Sequence, residues 1–351
     1  IVQQQADNKK LLLDKEEIDR ENSELSKQIV ELEKLLGESQ GETQKLKMKL
    51  ENVESAYGQA GQTEVDSIVG KIKSRLSSEH EKYLEIKNAI QERVDCGLMH
   101  SATIGVSVKG QELFRYKIGT IDRQIFRLAS MTKPITAAAI LICQDMGLVS
   151  VKDEVEKYIP SFQNMKVGKV VDGKVVFDKD CPVPMTIEHI LTHSSGLGSG
   201  DVGNLQWEGV KVNELEEQVE KYSKWYLDFV PGSSQLYSGT VALDVVARIV
   251  EVVSGMKYID FLKKYLFEPL DMIDTTYKLT EEQKARLVPM YQINEERTNS
   301  FHKELEDRYA GFDGIEEGYT SGCAGMFSTY DDYSHFASML ANGGEYNGKR
   351  I

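Results

Sequence analysis

No apolar run in this sequence approaches the roughly 18 residues that a bilayer-crossing helix needs; the longest candidate, Ile135 to Ile142, is too short. Cysteine is scarce. Cys96, Cys143, Cys181 and Cys323 are widely spaced and form no CxxC or zinc pattern, so they are expected to be reduced thiols packed in the fold. Basic residues are outnumbered, 42 Lys and Arg against 56 Asp and Glu, and the net charge of −14 excludes non-specific binding to nucleic acid or anionic lipid. No signal peptide is visible. The chain starts at Ile1 rather than Met, so an upstream segment is expected to be missing, and the compartment stays open. What remains, over 351 residues, allows two or three domains and a sizeable core.

Proline marks the first boundary: all seven prolines lie from Pro134 onward. Residues 1–57 instead alternate acids and bases, as in "DKEEIDRENSELSKQIVELEKLL", and fit a heptad frame. With a at Asn22, Ile29, Leu36, Thr43, Leu50 and Tyr57, the d positions are Leu11, Ile18, Leu25, Leu32, Ser39, Leu46 and Val53. Mostly apolar d sites with charged flanks predict a coiled-coil helix whose work is self-association, and Asn22 at an a site would fix its register. Gly37, Ser39, Gly41 and Thr43 predict a break near 37–43. "GQAGQTE" (58–64) reads as a flexible linker, and residues 65–351 as the globular part.

That part opens with helical spacing over 65–94, where Ile86–Val94 reads as the first helix of the globular fold and Gly97 ends it. In "SATIGVSVKGQELFRYKIG" two β-rich runs, 102–108 and 112–118, flank Lys109-Gly110-Gln111, a hairpin signal. Helices follow: one after Pro134 that stops at Gly147, "TIEHILTH" (186–193) capped by Thr186, and "TVALDVVARIVEVVSG" (240–255) ending at Gly255. A strand pair followed mostly by helices predicts an α+β enzyme domain with a helical insertion.

Within it, Ser130 and Lys133 stand three residues apart in "SMTKP". Proline is tolerated only in a helix's first turn, so Pro134 places the helix start near Ser130–Lys133. There the helix dipole and free N–H groups favour negative charge on the serine oxygen. The same field and apolar surroundings disfavour the Lys133 ammonium, so a neutral lysine could take the serine proton. A bare S-x-x-K recurs by chance, as a capping serine beside a surface lysine, and its context must decide.

"FRLASMTKPITAAAILICQDMGLVSVKDEVEKYIP" (126–160) resembles the nucleophile region of the serine β-lactamase and penicillin-binding-protein superfamily, in particular the class C β-lactamase, D-alanyl-D-alanine carboxypeptidase and family VIII esterase group. "MTIEHILTHSSGLG" (185–198), "PGSSQLYSGTVALDVVARIVEVVSG" (231–255) and "SGCAGMFSTYDDYSHFASMLANGG" (321–344) resemble that group's later blocks. The resemblance spans roughly residues 86–351. It implies a β-lactamase/transpeptidase-like fold, an antiparallel sheet flanked by helices plus a helical domain. It implies Ser130 as the acylated nucleophile, Lys133 as its base or hydrogen-bond partner, and Tyr237 as a second acid/base. It implies a small-molecule or peptide acyl substrate and no cofactor. Two departures stand out. Gly239 replaces the asparagine of the family's Tyr-x-Asn motif, removing an amide expected to bond Lys133 and substrate. The chain also ends at Ile351, before the family's Lys/His-x-Gly strand, so it is expected to be a fragment or a defective chain.

Other constellations carry less. His189 and His193, four apart on one expected helix, lack the glutamate of HExxH, so zinc is declined. "GLGSG" (196–200) follows a helix rather than a strand and is too short for a dinucleotide fingerprint. No G-x-S-x-G elbow occurs. Asp331 and Asp332 read as helix caps, and Trp207 and Trp225 as builders of the helical domain. The expected function is a serine hydrolase acting on an ester or amide, with an esterase or peptidase favoured over a lactamase because no secretory signal is seen. The alternative is a catalytically impaired scaffolding protein that self-associates through its coiled coil.

Overall fold

The first strands pair where the sequence places them. In a computed structural model that describes residues 83–108, 111–289, 291–293, 301–304 and 319–351, β1 (Ala102–Val108) and β2 (Gln111–Ile118) form an antiparallel hairpin from Ala102↔Ile118 to Val108↔Gln111. The expected coiled coil (1–57) and linker (58–64) lie outside the described residues. Two compact units divide the chain, one reaching to Thr120 with Ile293–Phe301, the other Ile121–Gln292 with His302–Ile351.

In the first unit a helix over residues 83–95 precedes the hairpin and ends at Gly97, whose φ of 76° is the left-handed value glycine accepts freely. Tyr83 stacks on Phe114 with ring centroids 5.1 Å apart, and Tyr116 donates its hydroxyl proton to Gln91 Oε1 at 2.7 Å. These two contacts fasten helix to hairpin.

The second unit holds the larger core. β3 (Ile125–Arg127) pairs antiparallel with the Phe327–Thr329 strand and leads into the helix Thr132–Asp145. That helix stops where expected, with Gly147 at φ 73°. The central helix, Ala242–Ser254, packs against it and is buried over most of its circumference, Val245, Val246, Ile249 and Val250 being fully enclosed. Such an element is a core helix rather than an amphipathic surface one, and Gly255 terminates it in the left-handed conformation. Trp207 and Trp225 pack half-buried against this core. β4 (Lys166–Val171) and β5 (Lys174–Asp180) form a hairpin, and β6 (Tyr226–Leu227) joins β4 in parallel. The turn residues Asp172 and Gly173 have φ of 49° and 72°, the pair of left-handed values that a two-residue hairpin requires.

All four cysteines are free thiols. Burial pushes the Cys143 thiol up to about 12 and raises Cys323 as well, so both are inert packing groups. No helix among the described residues is long and apolar enough to cross a membrane.

Candidate active site

Ser130 lies in a single 3-10 turn, Ala129–Met131, between β3 and the Thr132–Asp145 helix. Ala129, just before it, takes φ 44°. A non-glycine residue rarely adopts that conformation, and such strain gathers at functional sites. Thr132 begins the helix proper, so Pro134 falls in the first turn, where its missing N–H leaves no partner unsatisfied. No side chain caps this helix start; the N–H groups there, expected free, are taken by the carbonyls of the preceding turn, Met131 by Leu128 at 2.8 Å and Thr132 by Ala129. Because side chains three apart eclipse in a 3-10 turn, Ser130 and Lys133 come to one face.

Lys133 is only 7% exposed. Its Nζ donates to the carbonyl oxygens of Gly239 at 2.6 Å and Cys323 at 3.1 Å, and lies 3.3 Å from Ser130 Oγ. Tyr237, half-exposed, donates its phenolic proton to Ser130 Oγ at 2.7 Å, and its ring faces Lys133 Nζ at 4.9 Å. The three residues singled out from the sequence therefore converge on one oxygen. Gly239 contributes through its peptide carbonyl, which occupies an N–H of Lys133 that the sequence reading expected an asparagine amide to meet. A Cβ built on Gly239 would meet nothing within 4 Å, so the site is open on that side.

Two backbone carbonyls thus anchor Lys133, and sequence reasoning missed both because a carbonyl has no residue-type signature. One of them is held in place by Asp244. This fully buried carboxylate accepts from the Ser321 hydroxyl at 2.6 Å, the Gly322 N–H at 2.8 Å and the Tyr319 hydroxyl at 2.9 Å. It pins the segment that presents the Cys323 carbonyl. Gly322 is obligatory in that segment, since a Cβ would stand 2.2 Å from the Leu243 carbonyl oxygen. Burial pushes the Asp244 carboxyl up to about 6, against the pull of those donors.

His189 and His193 correct one expectation. They do not share a helix: the helix ends at Leu191, and His193 follows with φ 55°. His189 completes the capping box with Thr186, its Nδ1 accepting the Thr186 N–H at 3.2 Å. His193 instead reaches the Tyr237 loop. Asp332 also differs from expectation. The cap of the last long helix is Thr329, whose hydroxyl accepts the Asp332 N–H at 3.1 Å, while the Asp332 carboxylate accepts the Asp274 N–H and the Thr275 hydroxyl. A cavity of about 300 Å³, lined by Phe162, Met165, Pro182, Pro184, Leu227 and Pro231 among others, includes none of the Ser130, Lys133 and Tyr237 side chains.

The fold belongs to a class with solved examples. The hydrolase EstCE1, a protein with promiscuous acyltransferase activity, superposes with a TM-score of 0.60 over 77% of this chain and 75% of its own, at 20% identity. A family model described as Beta-lactamase matches residues 86–351, and the chain belongs to that family. Among curated relatives, esterase EstB of Burkholderia gladioli is 29% identical over 256 residues, covering 65% of this chain and 62% of EstB. Lovastatin esterase of Penicillium rubens is 29% identical over 221 residues, covering 57% and 55%. The chain thus spans less than two thirds of either esterase's length.

Proposed function

We propose that this chain is a serine hydrolase that cleaves an ester or amide through an acyl-enzyme on Ser130, with Lys133 and Tyr237 moving the protons. The observation that carries the reading is the placement of Ser130 Oγ within 2.7 Å of Tyr237 and 3.3 Å of a lysine whose other donors are taken by two carbonyls. With two of its N–H groups on Gly239 and Cys323, the remaining position of Lys133 Nζ faces Ser130 Oγ, the direction along which a proton passes between them.

Ser130 Oγ attacks the carbonyl carbon as Lys133, in concert with Tyr237, takes its proton. The Oγ–C bond forms and the substrate oxygen becomes an oxyanion. On collapse, the bond to the leaving alkoxide or amine breaks and that group takes a proton from Tyr237. A water, deprotonated by the same pair, then attacks the acyl carbon, and release of the acid restores Ser130. The two esterase relatives favour an ester.

The scaffolding alternative drew on Gly239, and it loses force where the Gly239 carbonyl takes up Lys133. Self-association through residues 1–57 remains part of the proposal on the strength of the heptad pattern. Sedimentation of the full chain against a 1–57 deletion should show an oligomer that the deletion dissolves; two equal monomers exclude it. For the chemistry, a fluorophosphonate probe should label the wild-type chain and leave Ser130→Ala unlabelled. An unlabelled wild type, or equal labelling of both, overturns the assignment.

A further inference from the structure

His193 touches three consecutive residues of the Tyr237 loop in three different ways. Its backbone carbonyl accepts the Leu236 N–H at 2.9 Å. Its ring Nδ1 accepts the Ser238 N–H at 3.2 Å. Its ring packs against the Tyr237 ring, with centroids 4.7 Å apart and planes tilted by 47°. To do this, His193 holds the left-handed backbone conformation with φ 55°, which a β-carbon disfavours. We propose that His193 is the positioning residue of Tyr237, clamping the loop on both sides of the tyrosine so that its hydroxyl meets Ser130 Oγ. The proposal rests on the reading of Tyr237 as an acid/base.

The clamp has a built-in proton dependence. An Nδ1 that accepts requires the neutral ring with its proton on Nε2. Protonation turns Nδ1 into a donor facing the Ser238 donor, so the bond on the C-terminal side of Tyr237 is lost. The titratable groups facing His193 are Lys133 on the nucleophile helix and Tyr237 on the loop. Burial, and then the charge of Lys133, lower the His193 pKa below the ordinary 6.5. The clamp is therefore fully formed above that value and opens as pH falls below it. Asp244 also titrates in this range, at about 6, so the His193 contribution has to be isolated by substitution.

The test is hydrolysis of p-nitrophenyl butyrate by the full chain from about pH 5 to 8, with separate kcat and KM. His193→Asn keeps an acceptor near the Nδ1 position, tolerates the left-handed backbone and does not titrate. It should stay within about threefold of wild type at pH 8 and lose the His193 part of the acid limb. His193→Phe keeps a ring without an acceptor and should lower kcat about tenfold, with KM little changed. A His193→Asn profile that superimposes on wild type, or a His193→Phe kcat equal to wild type, overturns the proposal.

Tyr237→Phe separates the two readings. If it hydrolyses the ester as well as wild type, the assignment of Tyr237 falls. If it is inactive while both His193 variants behave as wild type, only the clamp falls. Histidine ¹⁵N spectra of the wild-type chain decide the clamp independently of turnover or of variant folding. They should show His193 as the Nε2-protonated tautomer, titrating below 6.5; a neutral ring protonated on Nδ1 overturns it.

Discussion

Asp244 and Asp274 are both buried carboxylates in the same unit, and their protons move in opposite directions. Asp244 is fully enclosed and has only neutral donors: two hydroxyls and one peptide N–H. Burial wins, and its carboxyl rises to about 6. Asp274 is 5% exposed, but it lies between the guanidinium groups of Arg286, at 2.7 Å, and Arg123. Burial pushes its carboxyl up as well, yet the two arginines more than offset this and hold it at about 2. A hydroxyl can satisfy a carboxylate's lone pairs without compensating its charge; a guanidinium does both. The neutral arrangement stands at the candidate active site, where it holds the segment bearing the Cys323 carbonyl. In the charged arrangement Arg286 also donates to the Arg123 carbonyl and so ties two distant segments of the chain together.

The sharpest way to break the comparison is Asp244→Ala. Three buried donors lose their acceptor at once, at about 1–3 kcal/mol each. We expect a loss of about 4 kcal/mol in urea unfolding, together with a fall in Ser130 labelling measured below the denaturation midpoint. Stability that drops while labelling keeps its wild-type rate would show that Asp244 serves the core alone and does not hold the Lys133 anchor.

The same contrast explains what could be read from the sequence. Ser130 and Lys133 were legible because their signal is local: a spacing of three and a proline that fixes the helix start. Gly97, Gly147 and Gly255 marked helix ends for the same reason, and the first hairpin carried its own turn. Tyr237 was legible only through the resemblance of its block to a family, since its contact with Ser130 joins distant parts of the chain. Asp244 was hidden inside an apolar helix pattern, as its partners Tyr319, Ser321 and Gly322 come from far along the chain. His193 was seen but misplaced. A spacing of four suggested a shared helix face with His189, whereas the helix ends two residues earlier and the left-handed turn at His193 sends its ring to the Tyr237 loop. The β4–β5 hairpin was missed although Asp172-Gly173 between two valine-rich runs is a hairpin signal.

Asp274→Asn should do less harm than Asp244→Ala and should act on a different part of the pH scale. Its amide keeps an acceptor for the arginines, and Arg123 reaches solvent, its side chain being 50% exposed. The expected cost is about 2 kcal/mol at neutral pH, with Ser130 labelling unchanged. The sign of the pH effect follows from the two shifts. A carboxyl held at about 2, below its ordinary 3.8, stabilises the fold above 3.8 and loses that contribution as pH falls through 2. Asp244, raised to about 6 from 3.8, acts oppositely: its contribution is greatest below 3.8 and is lost as pH rises through 6. Thermal melts should therefore show Asp274→Asn flattening the decline in Tm between about pH 4 and 2 while leaving the slope between about pH 4 and 6 as in wild type. A variant whose acid decline matches wild type would mean that the Arg123–Asp274–Arg286 cluster contributes nothing to acid stability, and the contrast between the two carboxylates would then lie in their hydrogen bonds alone.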